Sequence, residues 1–159
     1  PDTGLAEAAG LAVDDGIVVD RQLRTSDPDI FAAGDVARFE APGGLGRIRV
    51  EHEDNAVTMG KAAGRAMAGD PTPYAHQPFF YSDLFDLGYE AVGRTDSKLE
   101  TVADWKDPFR EGVVYYLRGG RVRGVLLWNT WGQVDAARAL IAEPGPFEAG
   151  DLIGRLPAR

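Results

Sequence analysis

Hydrophobic and polar positions change their spacing near residue 70. Before that point, short apolar runs alternate with turns. Gly4 to Ala12 reads as one or two helical turns stopped by Gly10. Asp14-Asp15-Gly16 is a turn, and Gly16 to Asp20 a short strand. Arg21 to Asp29 reads as a loop, and Ile30 to Gly34 as a buried apolar strand. Ala41-Pro42-Gly43-Gly44-Leu45-Gly46 is a flexible loop by composition. Glu51 to Met67 is the clearest helix. Glu51, Glu53 and Asp54 fill its first turns and Lys61 and Arg65 lie late, the order a helix dipole prefers. Ala56, Met59, Ala63 and Met67 make an apolar stripe at helical spacing. Gly60, Ala62, Gly64 and Ala66 keep the helix thin, so that it can lie close to a sheet.

Gly69-Asp70-Pro71-Thr72-Pro73 ends that helix and reads as a linker. Beyond it the period shortens to that of strands. Leu84 to Gly93 predicts one strand and Leu99 to Trp105 a second. Gly112 to Arg118 and Arg121 to Trp128 flank Gly119-Gly120, a strong hairpin signal. Gln133 to Glu143 predicts a helix with Val134, Ala137, Leu140 and Ile141 on one face. Pro144-Gly145-Pro146 breaks it, and a last short helix spans about Glu148 to Arg155. Strands followed by helices describe an antiparallel sheet with helices on one side. The chain thus divides into residues 1–70 and residues 71–159.

Composition narrows the function classes. The chain has 159 residues, enough for one ordinary domain or two small ones. Its 44% hydrophobic and 26% charged content describes a globular protein. The net charge of −8 disfavours sequence-independent binding to nucleic acid and docking on anionic membranes. It suits an acidic, soluble enzyme. There is no cysteine, which excludes disulfides, thiolate metal sites and dithiol redox chemistry within this chain. With two histidines and no His/Cys cluster, no metal site is expected. No apolar run approaches the ~18 residues of a membrane-spanning helix. A composition rich in Ala, Gly, Asp and Arg reads as cytoplasmic.

The richest chemistry lies in Thr25-Ser26-Asp27-Pro28-Asp29-Ile30-Phe31-Ala32-Ala33-Gly34-Asp35-Val36-Ala37. A carboxylate at the end of a buried strand sits where open α/β sheets bind ligands, and a glycine before it lets a group approach the backbone. Read alone, Asp35 is more simply a turn residue. Together with the upstream strand Asp15-Gly16-Ile17-Val18-Val19-Asp20, the stretch resembles the second flavin-binding signature of FAD-dependent pyridine-nucleotide reductases. Arg49-Val50-Glu51-His52-Glu53-Asp54-Asn55-Ala56-Val57, then Pro73-Tyr74-Ala75-His76-Gln77-Pro78-Phe79-Phe80-Tyr81-Ser82-Asp83-Leu84 and Gly88-Tyr89-Glu90-Ala91-Val92-Gly93, are similar to the ferredoxin-reductase-like branch, the apoptosis-inducing-factor type in particular. The resemblance covers residues 1 to about 105 well and the rest in pattern.

The resemblance implies an α/β fragment of a Rossmann-like FAD-binding domain (residues 1–70) followed by an α+β C-terminal domain (residues 71–159). No Gly-x-Gly-x-x-Gly follows a strand here, so the chain reads as the C-terminal part of a longer reductase. The implied cofactors are FAD and NAD(P)H, and the implied acceptor is a ferredoxin- or rubredoxin-like protein. Asp35, with Gly34, takes the place of the residue that binds a ribitol hydroxyl. Glu51, His52 and Ala56 mark a helix start aimed at the flavin N1/O2 edge; a solvated, ordinarily capped helix is the alternative. Tyr81 stands where the branch commonly has Trp beside the flavin, or else packs a core with Phe79 and Phe80. His76 reads as a local hydrogen-bonding residue, and Trp105, Trp128 and Trp131 as core or interface. The last 31 residues hold no histidine, which disfavours the disulfide-reducing branch with its late His-x-x-x-x-Glu pair. No residue offers a convincing acid, base or nucleophile. A dimerisation or partner-docking module and an NADH-sensing flavoprotein are the rival functions.

Overall fold

The computed structural model describes residues 1–42, 46–70 and 72–156; Gly43, Gly44, Leu45 and Pro71, parts of the two expected loops, lie outside them. The chain forms two compact units, Pro1–Pro78 and Phe79–Arg159.

The first unit opens with helix α1 (Gly4–Ala8) and strand β1 (Ile17–Val18). Strand β2 (Ala37–Glu40) runs parallel to β1, and β3 (Arg47–Ile48) antiparallel to β2, giving the order β1-β2-β3. The strand expected over Ile30 to Gly34 is not one. Ile30 is exposed, and the run folds back on residues 23–25 through Thr25 N–H to Ile30 O (2.9 Å) and Ala32 N–H to Leu23 O (3.1 Å). The backbone groups that a sheet would need are used locally. Gly34–Val36 is one 3-10 turn, and the strand begins after it. Gly34-Asp35 therefore precedes a strand instead of ending one.

Helix α2 (Glu53–Met67) begins two residues later than expected. His52 is extended and serves as N-cap, its Nδ1 accepting the Asp54 N–H at 3.4 Å. Glu51 thus lies outside the helix. The buried stripe is Asn55, Met59, Ala63 and Ala66; Met67 is exposed, one residue out of register. Residues 72–78 return to this unit. Tyr74 is buried, its ring edge-on to Phe39 at 5.4 Å, its hydroxyl donating to Asn55 Oδ1 at 2.9 Å. His76 Nε2 meets Asp54 Oδ2 at 2.6 Å, the local bond expected of it.

The second unit is a five-stranded antiparallel sheet: β4 (Phe79–Leu84), β5 (Leu87–Gly93), β6 (Glu100–Asp107), β7 (Glu111–Arg118) and β8 (Arg121–Trp128), in the order β4-β5-β8-β7-β6. Gly119 and Gly120 both have positive φ (58° and 69°), as the tight hairpin joining β7 and β8 requires. Helices α3 (Val134–Ala142) and α4 (Ala149–Leu152) follow. Val92, Val113, Tyr115, Leu117, Val122, Val125 and Leu127 of the sheet bury against Ala137, Leu140, Leu152 and Leu156.

The expected strand over Leu84 to Gly93 is two strands. It breaks at Phe85-Asp86, where Leu84 pairs with Leu87. No glycine or asparagine marks this turn; Phe85 itself takes the left-handed conformation (φ 56°) with its ring fully exposed. Phe109, between β6 and β7, repeats the arrangement (φ 60°, 75% exposed). The two turns lie at one end of the sheet, joined by the Arg110–Asp86 ion pair at 2.7 Å.

Candidate cofactor site

Gly34 has φ 80°, a conformation that glycine adopts freely, and its N–H donates to the Met59 sulfur at 3.3 Å. A β-carbon built on Gly34 would meet only Ala56 Cβ, at 3.7 Å. Two small residues, one on the 3-10 turn and one in the first turns of α2, therefore leave open space over the backbone.

Asp35 lies beside this space. Its carbonyl oxygen accepts from Arg49 Nη1 at 3.2 Å, so the main chain is fixed from below. Its carboxylate is exposed and has no partner among the described residues. A fixed backbone carrying a free carboxylate is an acceptor placed for a ligand's hydroxyl. This acceptor and the open space beside it suit a polyol hydroxyl, the chemistry of a ribityl chain.

Arg49, in extended chain just before α2, organises the surroundings. Its guanidinium also donates to the Asp15 carbonyl (Nε, 3.0 Å) and pairs with the Glu51 carboxylate. Arg49 holds Glu51 below the usual carboxylate range, and Glu51 in turn pushes the guanidinium up. Glu51 is thus a partner of Arg49, not a member of the helix. His52 caps α2. Beneath the cap, the fully buried Asn55 donates to Val50 O at 3.3 Å and accepts from Tyr74. Arg49 and Asn55 stand within the family-like stretch Arg49–Val57, but neither they nor Tyr74 were singled out as site residues. Their signal was a charged residue and a buried amide inside an acidic run.

Gly34, Asp35, Glu51, His52 and Ala56 belong to the first unit and Tyr81 to the second. Tyr81 sits on β4 opposite Glu90 of β5, is 47% exposed, and has the Phe79 ring 6.1 Å away. Phe79 packs on the core of the second unit. The aromatic pair thus spans a core and a surface.

Residues 1–60 match the pyridine nucleotide-disulphide oxidoreductase family. Residues 63–108 and 103–143 match the family of apoptosis-inducing factor, mitochondrion-associated, C-term. The chain is 39% identical over 163 residues to apoptosis-inducing factor 1, mitochondrial, of Dictyostelium discoideum, covering 93% of this chain and 30% of that protein. It is 31% identical to putidaredoxin reductase CamA of Pseudomonas putida, covering 97% and 36%. Its fold superposes on the reductase in a covalent putidaredoxin reductase–putidaredoxin complex with a TM-score of 0.83 at 31% identity, covering 94% of this chain and 36% of that one. The chain spans about a third of the length of the curated relatives it matches. The matched segments follow the same order as the two units, and the chain belongs to the apoptosis-inducing-factor and ferredoxin-reductase family of FAD-dependent pyridine-nucleotide oxidoreductases, whose C-terminal portion it represents.

Proposed function

We propose that the intact protein is an NAD(P)H-dependent FAD oxidoreductase that passes electrons to a ferredoxin- or rubredoxin-like acceptor. The observation that carries this reading is the Gly34–Asp35 turn: a left-handed glycine, open space bounded by Ala56, and an exposed carboxylate on a backbone held by Arg49. When bound, FAD supplies the hydride and single-electron chemistry. This chain's residues bind and orient it. Asp35 accepts a ribitol hydroxyl. Gly34 and Ala56 leave room for the cofactor. The start of α2, capped by His52, faces developing negative charge with its dipole. Glu51 and Arg49 set the local charge there. A cytoplasmic location belongs to the same proposal.

The test is steady-state NAD(P)H oxidation by the full-length protein with ferredoxin, rubredoxin or cytochrome c. Reduction of an iron–sulfur acceptor is the expected result. Tight NADH binding without acceptor turnover would favour the sensor reading, and a full-length protein without FAD would favour the docking module. In FAD-containing protein, Asp35→Ala is expected to weaken FAD binding roughly ten- to a hundredfold, as loss of a hydrogen bond to a charged group does. It should leave hydride transfer in the retained holoenzyme nearly unchanged. Unaltered FAD affinity in equilibrium dialysis would remove Asp35 from the site.

A further inference from the structure

The face of the second unit's sheet that α3 and α4 leave uncovered is apolar. On β7 the buried positions Val113, Tyr115 and Leu117 pack with the helices, while Val114 and Tyr116 between them are half-buried. Strand alternation puts Val114 and Tyr116 on the opposite face. The pairing register carries that face across the sheet. Phe80, Ala91, Leu126, Val114 and Ala103 stand side by side in one row, one from each strand. The next row holds Trp105 and a Tyr89 ring stacked 6.1 Å from Trp128. Neither row contains a charged residue, and its aromatic rings and its leucine and valine are all half-buried. An antiparallel sheet that faced water on this side would alternate in polar residues, and one that is apolar on both sides calls for a second layer.

The two ends of this sheet carry opposite charge. At the β7–β8 hairpin end, residues 94–100 and 118–123 hold five basic and two acidic side chains. Arg118 and Arg121 stand directly opposite each other, both exposed and without an ion-pair partner among the described residues. Like charges in that position destabilise a hairpin until an acidic group meets them. At the other end, residues 83–87 and 106–111 hold four acidic and two basic side chains, and here Asp107 stands opposite Glu111.

We propose that this open face is where two copies of the protein pair, sheet against sheet, about a two-fold axis that lies across the strands. Such an axis reverses the strand direction from one copy to the next. Each basic hairpin end then lies over the acidic end of the other copy, and the match is made twice. An axis along the strands would set Arg118 and Arg121 against their own counterparts, which charge forbids. In between, the Leu126 row of one copy meets that of the other. Five strands at roughly 4.8 Å spacing and eight residues at roughly 3.4 Å make a face of about 24 by 27 Å. Two such faces bury roughly 1,200 Å² in all, the lower edge of a specific interface. The charged ends fix the orientation and the apolar rows supply the adhesion.

The test is sedimentation equilibrium of the full-length protein. The expected result is a reversible dimer whose dissociation constant rises with sodium chloride, which screens the charged ends. Arg118→Glu with Arg121→Glu should raise that constant roughly tenfold or more, because the two-fold repeats every reversed contact. Asp86→Lys with Asp107→Lys should do the same. An equimolar mixture of the two double variants should pair at least as tightly as wild type, since only unlike copies then match. Leu126→Gln, in the middle of the apolar row, should give a monomer with the wild-type circular dichroism. A full-length protein that stays monomeric at every concentration would overturn the proposal and leave another part of the same protein, or a different partner, as the cover of this face. A dimer indifferent to both charge reversals would overturn it too, by placing the contact elsewhere. Should Leu126→Gln fail to fold, the mixture decides: two double variants that do not associate with each other sink the idea.

Discussion

At the residue scale, the Gly34 position separates backbone from side-chain effects. A β-carbon there meets only ordinary contact with Ala56, so Gly34→Ala costs its left-handed conformation and little else, roughly 1 kcal/mol. Urea unfolding should show that loss, and FAD binding should weaken further because the added methyl enters the open space. Tyr115 carries a pH prediction. It is fully buried, with its phenol pushed up to about 12 by desolvation. Its folded value lies above the unfolded value near 10, so its contribution is complete below pH 10 and is lost as pH rises toward 12. The loss is roughly 2 kcal/mol, and Tyr115→Phe should abolish this part of the alkaline unfolding profile. The Tyr115 hydroxyl also accepts the Leu156 N–H at 3.2 Å, so the variant should be about 1 kcal/mol less stable at neutral pH. The sequence context singles out Asp35 as a candidate, whereas nothing in it tells that Arg49 holds the Asp35 backbone. The partners of an arginine are set by where Asp15, Asp35 and Glu51 arrive in space, which spacing along the chain does not encode.

At the element scale, the two-residue difference between the expected and observed start of α2 alters what the Glu51 charge does. Glu51 precedes α2 and is engaged with Arg49. Glu51→Gln removes the nearer of the two carboxylates that face Arg49 and leaves only Asp15 at 3.4 Å, so the flavin potential of the intact protein should rise. A spectroelectrochemical titration showing a fall, or no change, would place the flavin away from this pair. The β7–β8 hairpin and α3 were readable because their signals are local: two glycines for a turn and a helical apolar period. The β4–β5 turn was hidden because Phe85 occupies a conformation usually marked by glycine. The run Ile30 to Ala33 misled for the opposite reason. It has a strand's composition, but residues 23–25 claim its hydrogen bonds before any sheet does.

At the scale of the whole molecule, the second unit closes a core of its own. The second unit's main cluster lies wholly within residues 92–156. Residues 79–159 expressed alone should therefore unfold in one cooperative transition with the far-ultraviolet signature of an antiparallel sheet. A non-cooperative melt would show that this core needs the first unit. The 159-residue chain itself should not retain stoichiometric FAD through gel filtration, because no glycine-rich pyrophosphate loop follows a strand in it. A yellow, FAD-loaded preparation of the chain would overturn that expectation.

The paired turns at one end of the five-stranded sheet also govern how the protein behaves at high salt. The clasp between Arg110 and Asp86 is electrostatic and exposed, so added ions weaken it. The Phe85 and Phe109 rings beside it are largely exposed hydrocarbon, and strongly hydrated salts such as sulfate make exposed hydrocarbon stick. Salting-out thus loosens the mount and tightens the grip of the same surface. In an ammonium sulfate series, Phe85→Asn with Phe109→Asn should stay in solution well past the concentration at which the parent chain clouds, since asparagine accepts the left-handed turn and presents an amide to water.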